Sequence, residues 1–94
     1  MPLFALFCVD KPNALPLRMA TREAHLAYVR PQIDILKLGG PLLDDAGDMA
    51  GSLMIVEVAD RAAAEAFSAN DPYTKAGLWQ KVEITPFRVT LGQL

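Results

Sequence analysis

An α+β domain in the order β-α-β-β-α-β, with four antiparallel strands and both helices on one face, is the fold class this sequence predicts. Three observations predict it. The N-terminal segment is a short apolar strand, the hydrophobic period then switches between two and 3.6 residues along the chain, and 94 residues fit one domain, residues 1–94. With 52% hydrophobic and 21% charged residues, the chain is too apolar to remain disordered.

The first strand is "LFALFCV", residues 3–9, rich in β-formers and closed by the turn formers of "DKPN". Both of its alternating faces are apolar: Leu3, Ala5, Phe7 and Val9 on one, Phe4, Leu6 and Cys8 on the other. Such a strand needs cover on both sides. From Thr21 the period becomes helical, with Leu26, Val29, Ile33 and Leu36 on one stripe and Thr21 as N-cap. This predicts a helix over 22–38, bent near Arg30 by Pro31 and stopped by Gly39-Gly40-Pro41.

"PLLDD" and "SLMIVEVA" read as a hairpin around "AGDMAG", its second strand at 52–59. Asp60 then caps the helix "RAAAEAFSA", where Ala63 and Phe67 stand at i, i+4. Asp71 followed by Pro72 opens a short helix "PYTKA". The last strand, "QKVEITPFRVTL", carries Pro86, which cannot donate to a ladder and so predicts an edge position or a bulge. The order is that of the split βαβ, or ferredoxin-like, plan. Its uncovered sheet face, apolar here, predicts a homodimer packed sheet on sheet, a dimeric α+β barrel on which higher oligomers could build.

Several functions are excluded by composition. A net charge of −2 with nine scattered Lys and Arg residues gives no electrostatic footprint for nucleic acid. The longest apolar run is far short of the roughly 20 residues a membrane span needs, and Asp10 and Lys11 follow it without a basic n-region before. The expectation is a cytoplasmic protein with no membrane partner. One cysteine and one histidine give neither an internal disulfide nor a zinc site of the usual soft ligands, so no structural metal is expected.

His25, the only histidine, lies about 60° from the centre of the predicted helix stripe, at the margin of the core. Within the first turn or so of that helix, partial burial and the positive helix end would suit a general base. The plain alternative is a boundary histidine bonded to backbone. Asp71 has a capping role by sequence, and a carboxylate held rigidly at a helix start can also accept an imidazole N–H. Arg22 and Lys75 could hold an anion or be solvated surface charges. Ser52 could donate a hydrogen bond but has no base beside it in sequence. Cys8 reads as a small core residue, and Tyr73 and Trp79 as walls of a pocket or of a dimer seam.

Four stretches, "REAHLAYV" at 22–29, "GGPLLDD" at 39–45, "GSLMIVEV" at 51–58 and "DPYTKAGLWQKVEITPFR" at 71–88, together make the chain resemble the YCII family of small YciI-like proteins. The resemblance covers most of the chain, residues 10–20 least. It implies a dimeric ferredoxin-like barrel and a cleft with a His-Asp pair at His25 and Asp71 and the serine at Ser52. Arg22, Tyr73 and Pro41 are the accompanying substrate-binding candidates. The activities it implies are cofactor-free elimination or isomerisation of small oxygenated rings. Two readings therefore stand: a cofactor-independent lyase or isomerase, or a non-catalytic dimeric module that binds a small ligand or partner.

Overall fold

A computed structural model describes residues 1–94. Its elements are β1 (Leu3–Asp10), α1 (Leu15–Val29), β2 (Leu36–Leu43), β3 (Met49–Glu57), α2 (Arg61–Ala69), the four-residue α3 (Pro72–Lys75) and β4 (Trp79–Phe87). The strands form one sheet in the order β2-β3-β1-β4, and every pairing is antiparallel. This is the ferredoxin-like α+β fold that the sequence predicts.

Alternation along β1 decides where the core lies. Phe4, Leu6 and Cys8 face inward opposite Val56, Met54 and Ser52 of β3. Val29, Ala64 and Phe67 from the helices and Val58, just past β3, complete that cluster. Fully burying the larger of these side chains, the Phe, Leu, Val and Met residues, contributes about 1.5–3 kcal/mol each. The close approach of β1 and β3 requires a glycine: a Cβ at Gly51 would run into the Cys8 carbonyl oxygen.

Helix 1 departs from the sequence reading at both ends. It starts at Leu15, not Arg22, with Pro16 in the first turn, where a missing N–H costs nothing. Ala14 occupies the cap position without a side-chain bond, and Asn13 takes a positive φ of 59° in the turn before it. Thr21 is not the N-cap: it sits mid-helix, and its Oγ1 donates to the Leu17 carbonyl at 2.8 Å. Pro31 does not bend the helix, because α1 ends at Val29 and Arg30–Gln32 form a 3-10 turn.

Two members of the predicted stripe leave the helix as a result: Ile33 is exposed and Leu36 opens β2. Gly39-Gly40-Pro41 is likewise no helix stop. It is the middle of β2, an edge strand, which is where a proline is tolerated in a sheet. Pro86 also lies on an edge strand, β4, opposite Phe4.

The remaining punctuation follows the sequence. Asp60 caps α2 by accepting from the Ala63 N–H at 2.9 Å. In the β2–β3 turn, Asp44 Oδ1 accepts from the N–H groups of Ala46 and Asp48, and Gly47 supplies a φ of +87°. The sheet face away from the helices carries Leu3, Ala5, Phe7 and Val9 of β1 and Leu53 of β3, with Phe7 and Leu38 exposed. Val89, Leu91 and Leu94 beyond β4 join Ala5, Leu38 and Ile55 around an apolar groove of about 260 Å³ on this face. No helix is long and apolar enough to cross a membrane.

Candidate functional site

On α1, Arg18, Arg22 and His25 stand at i, i+4 and i+7, a spacing that puts all three on one face of the helix. They line a cleft of about 250 Å³ whose other side is built from β2 and β3, including Gly39, Pro41 and Ser52, and which Tyr73 also lines. Pro41 and Ser52 face each other directly across the β2–β3 pairing. The volume sits just below the range of about 300–1,000 Å³ typical of drug-sized ligands, so it suits a single-ring molecule.

His25 Nδ1 and Asp71 Oδ1 are 2.9 Å apart. A carboxylate has no proton to give, so Nδ1 is the donor, and in the neutral ring this leaves Nε2 bare. Asp71 is fixed because it caps α3: the same Oδ1 accepts from the Tyr73 N–H at 2.9 Å. The Asp71 side chain is 1% exposed and that of His25 13%, so a buried anchor carries a ring that reaches the cleft. Asp71 Oδ2 is the one buried side-chain polar atom with no partner in the chain.

The Tyr73 ring stacks on the imidazole with centroids 4.2 Å apart and planes 18° from parallel. Trp79 in turn meets Tyr73 edge-on at 5.5 Å and donates its indole N–H to Thr74 Oγ1 at 2.9 Å. Burial pushes the Tyr73 hydroxyl above its ordinary range, against the opposing pull of the Arg18 and Arg22 cations.

A second polar group adjoins the first. Arg18, 2% exposed, gives Nε to Asp10 Oδ2 at 2.8 Å and Nη2 to Asp10 Oδ1 at 3.0 Å. Nη2 also donates to Ser52 Oγ at 2.9 Å. This bidentate pair ties the end of β1 to α1, and its guanidinium lies 4.7 Å from the Tyr73 centroid and 5.6 Å from that of Trp79. Beneath the site, the Cys8 thiol is pushed up to about 12, first by burial and then by the charge of Asp71.

The structure thus brings together His25, Asp71, Ser52, Arg22, Tyr73 and Pro41. Lys75 is exposed and outside the cleft, and Trp79 supports Tyr73 without lining it. His25 lies in the third turn of α1, because that helix begins seven residues earlier than the sequence reading has it. The positive helix end therefore has no part in its environment.

The sequence alone does not single out Arg18 and Asp10: Asp10 reads as a turn former and Arg18 falls in the least informative stretch. A signal was nonetheless present. Asp10 continues the inward parity of Phe4, Leu6 and Cys8, and a charge on a buried face calls for a buried partner.

The sequence pattern of the YCII-related domain matches residues 2–88. Protein YciI of Escherichia coli O6:H1 is 33% identical over 94 residues, which cover 92% of this chain and 96% of that protein. Among solved structures, 5-chloro-2-hydroxyhydroquinone dehydrochlorinase (TftG) from Burkholderia phenoliruptrix AC1100, in complex with 2,5-dihydroxybenzoquinone, aligns with a TM-score of 0.85. It is 35% identical, over 92% of this chain and 93% of that one. A dimeric ferredoxin-like protein from Jannaschia sp. CCS1 aligns at a TM-score of 0.50 and 18% identity, over 95% and 100% of the two chains, and shares the fold.

Proposed function

The chain belongs to the YCII-related family, and on that premise we propose that its cleft is the active site of a cofactor-independent lyase or isomerase of small hydroxylated rings. The observation that carries the reading is the 2.9 Å bond between His25 Nδ1 and Asp71 Oδ1 beside a cleft of single-ring size. The likeness to a dehydrochlorinase acting on a hydroxylated ring, at 35% identity, supports the choice of chemistry.

In this account His25 Nε2 takes a proton from a hydroxyl or carbon of the substrate, and Asp71 stabilises the imidazolium that forms. The electron pair left behind moves through the conjugated ring. In an elimination it expels an anionic leaving group and the imidazolium returns its proton to solvent; in an isomerisation the proton comes back at another ring atom. Positioned acid–base catalysis of this kind contributes about 10²- to 10⁴-fold.

The test is chloride release from chlorinated hydroxyhydroquinones, together with deuterium uptake from D₂O into unchlorinated ones. The wild type is expected to turn over, and His25→Ala to lose at least about 10²-fold while keeping its circular dichroism spectrum. Binding without conversion across such a series would favour the non-catalytic module.

A second copy of the chain covers the open sheet face in this account. The apolar side chains of β1 and β3 and the groove beside Leu38 support it, since contiguous apolar patches of this kind mark interaction surfaces.

A further inference from the structure

Arg18 has five N–H donors, and three of them are used: one on Nε and two on Nη2. The two on Nη1 make no hydrogen bond of good geometry within the chain, although the guanidinium lies near enough to the Tyr73 hydroxyl to oppose the rise in its pKa. Nη1 is not sealed off either, since Asp71 Oδ2 is the one buried side-chain polar atom without a partner. Its open donors therefore reach the cleft that Arg18 lines. Ser52 Oγ accepts from Arg18 and gives its own proton to no group of the chain, so its hydroxyl is a further donor at the same place.

An arginine that served only to tie β1 to α1 would be complete with Asp10. Here the bidentate pair leaves the opposite edge of the guanidinium toward the cleft, and the Tyr73 and Trp79 rings hold its plane. The group cannot swing away to follow solvent. Seven residues of helix separate Arg18 from His25, about 10 Å along the axis, which leaves room for one ring between the cation and the imidazole. The exposed Arg22 stands between them on the same face.

We propose that Arg18 Nη1 and the Ser52 hydroxyl form a preformed anion subsite on the cleft floor. It selects ring substrates that carry an ionised oxygen and directs their opposite edge to His25. The proposal rests on the reading of this cleft as a reaction site and names its substrate class: phenolates and enolates rather than neutral rings. Asp10 neutralises one edge of Arg18, so selectivity for an anion comes from the concentration of donors at the other edge, with Arg22 adding the uncompensated charge.

4-Nitrophenol is the probe, because its visible absorption reports its ionisation directly. Bound to the protein, it should show phenolate absorption at a pH where the free probe is still protonated. The phenolate form should bind about 10- to 100-fold more tightly than the phenol, the range expected for hydrogen bonds to a charged group. Arg18→Met is expected to abolish that preference, and the double variant Asp10→Asn with Arg18→Met provides the same test without a stranded buried carboxylate. Ser52→Ala, which keeps the ion pair, should lose a smaller part.

His25→Ala should leave the preference intact, which separates this proposal from the assignment of the proton carrier. Turnover without the spectral shift would overturn the subsite and leave the catalytic reading standing, whereas the shift without turnover of any ring would do the reverse. No binding of the probe, equal binding of its two forms, or a preference that survives the double variant would also overturn the subsite.

Discussion

His25 Nδ1 donates to Asp71 Oδ1 over 2.9 Å, and that same oxygen accepts the backbone N–H of Tyr73. One carboxylate oxygen thus joins the start of α3 to the third turn of α1. Asp71→Asn tests how far the two duties separate. Asparagine caps a helix as well as aspartate does, so the fold should survive. The bond to the ring loses its charge assistance, and an imidazolium loses its counter-ion. A fall in kcat of about 10²-fold with little change in Tm is expected, whereas Asp71→Ala should also cost about 1 kcal/mol for the lost cap.

Arg18 and Asp10 are buried together, their side chains 3% and 5% exposed. Removing either alone leaves an uncompensated charge. Asp10→Ala or Arg18→Ala should destabilise the protein by about 3–5 kcal/mol, or roughly 12–40 °C in Tm for a domain of this size. Replacing both with neutral residues of similar volume should cost far less. Thermal melts of the two single variants and the double variant decide this.

The open sheet face gives a prediction about assembly. Phe7 projects from the centre of that face and is exposed in the single chain. Phe7→Asp should convert the proposed dimer to a monomer in sedimentation experiments without altering the pairing of β1 with β3 and β4. A wild type that sediments as a monomer at tens of micromolar would show that the face has no second copy on it.

Cys8 and the tyrosines predict alkaline behaviour. The Cys8 thiol is raised from 9.0 to about 12 by burial, and the Tyr28 and Tyr73 hydroxyls are raised above 10.0 for the same leading reason. Between pH 9 and 12 the unfolded chain has released its thiol proton and the folded one has not. The unfolded state then binds fewer protons, so stability falls as pH rises, by up to about 1.4 kcal/mol per pH unit for one group. Below pH 9 the thiol contributes no such slope. Urea midpoints measured from pH 7 to 11 should be flat and then decline, and Cys8→Ala should remove the earliest part of the decline.

Much of this was legible in the sequence because local chemistry and fold agree there. The two-sided apolar pattern of β1, the Asp60 and Asp71 caps, the glycine-containing turn between β2 and β3 and the edge position of Pro86 all follow from residue types at fixed offsets. Helix 1 was misread because its cap, Ala14, has no side-chain acceptor, while Thr21 looks like a cap and is not one. Gly39-Gly40-Pro41 has the composition of a helix stop, yet tertiary pairing with β3 makes it strand.

In the site, Asp71 is legible as a rigid helix cap able to accept an imidazole N–H, and the resemblance to the family supplies His25 as its partner. Arg18 escaped notice because its partner lies on a neighbouring strand end, and periodicity along one helix says nothing about what faces it.

The measurement closest to the central claim is the ¹⁵N spectrum of the His25 imidazole in the folded protein, with Asp71→Asn as reference. The account predicts that the neutral ring carries its proton on Nδ1, with Nε2 bare toward the cleft, and that this preference weakens in the variant. A neutral ring protonated on Nε2, or a spectrum indifferent to Asp71, would contradict it.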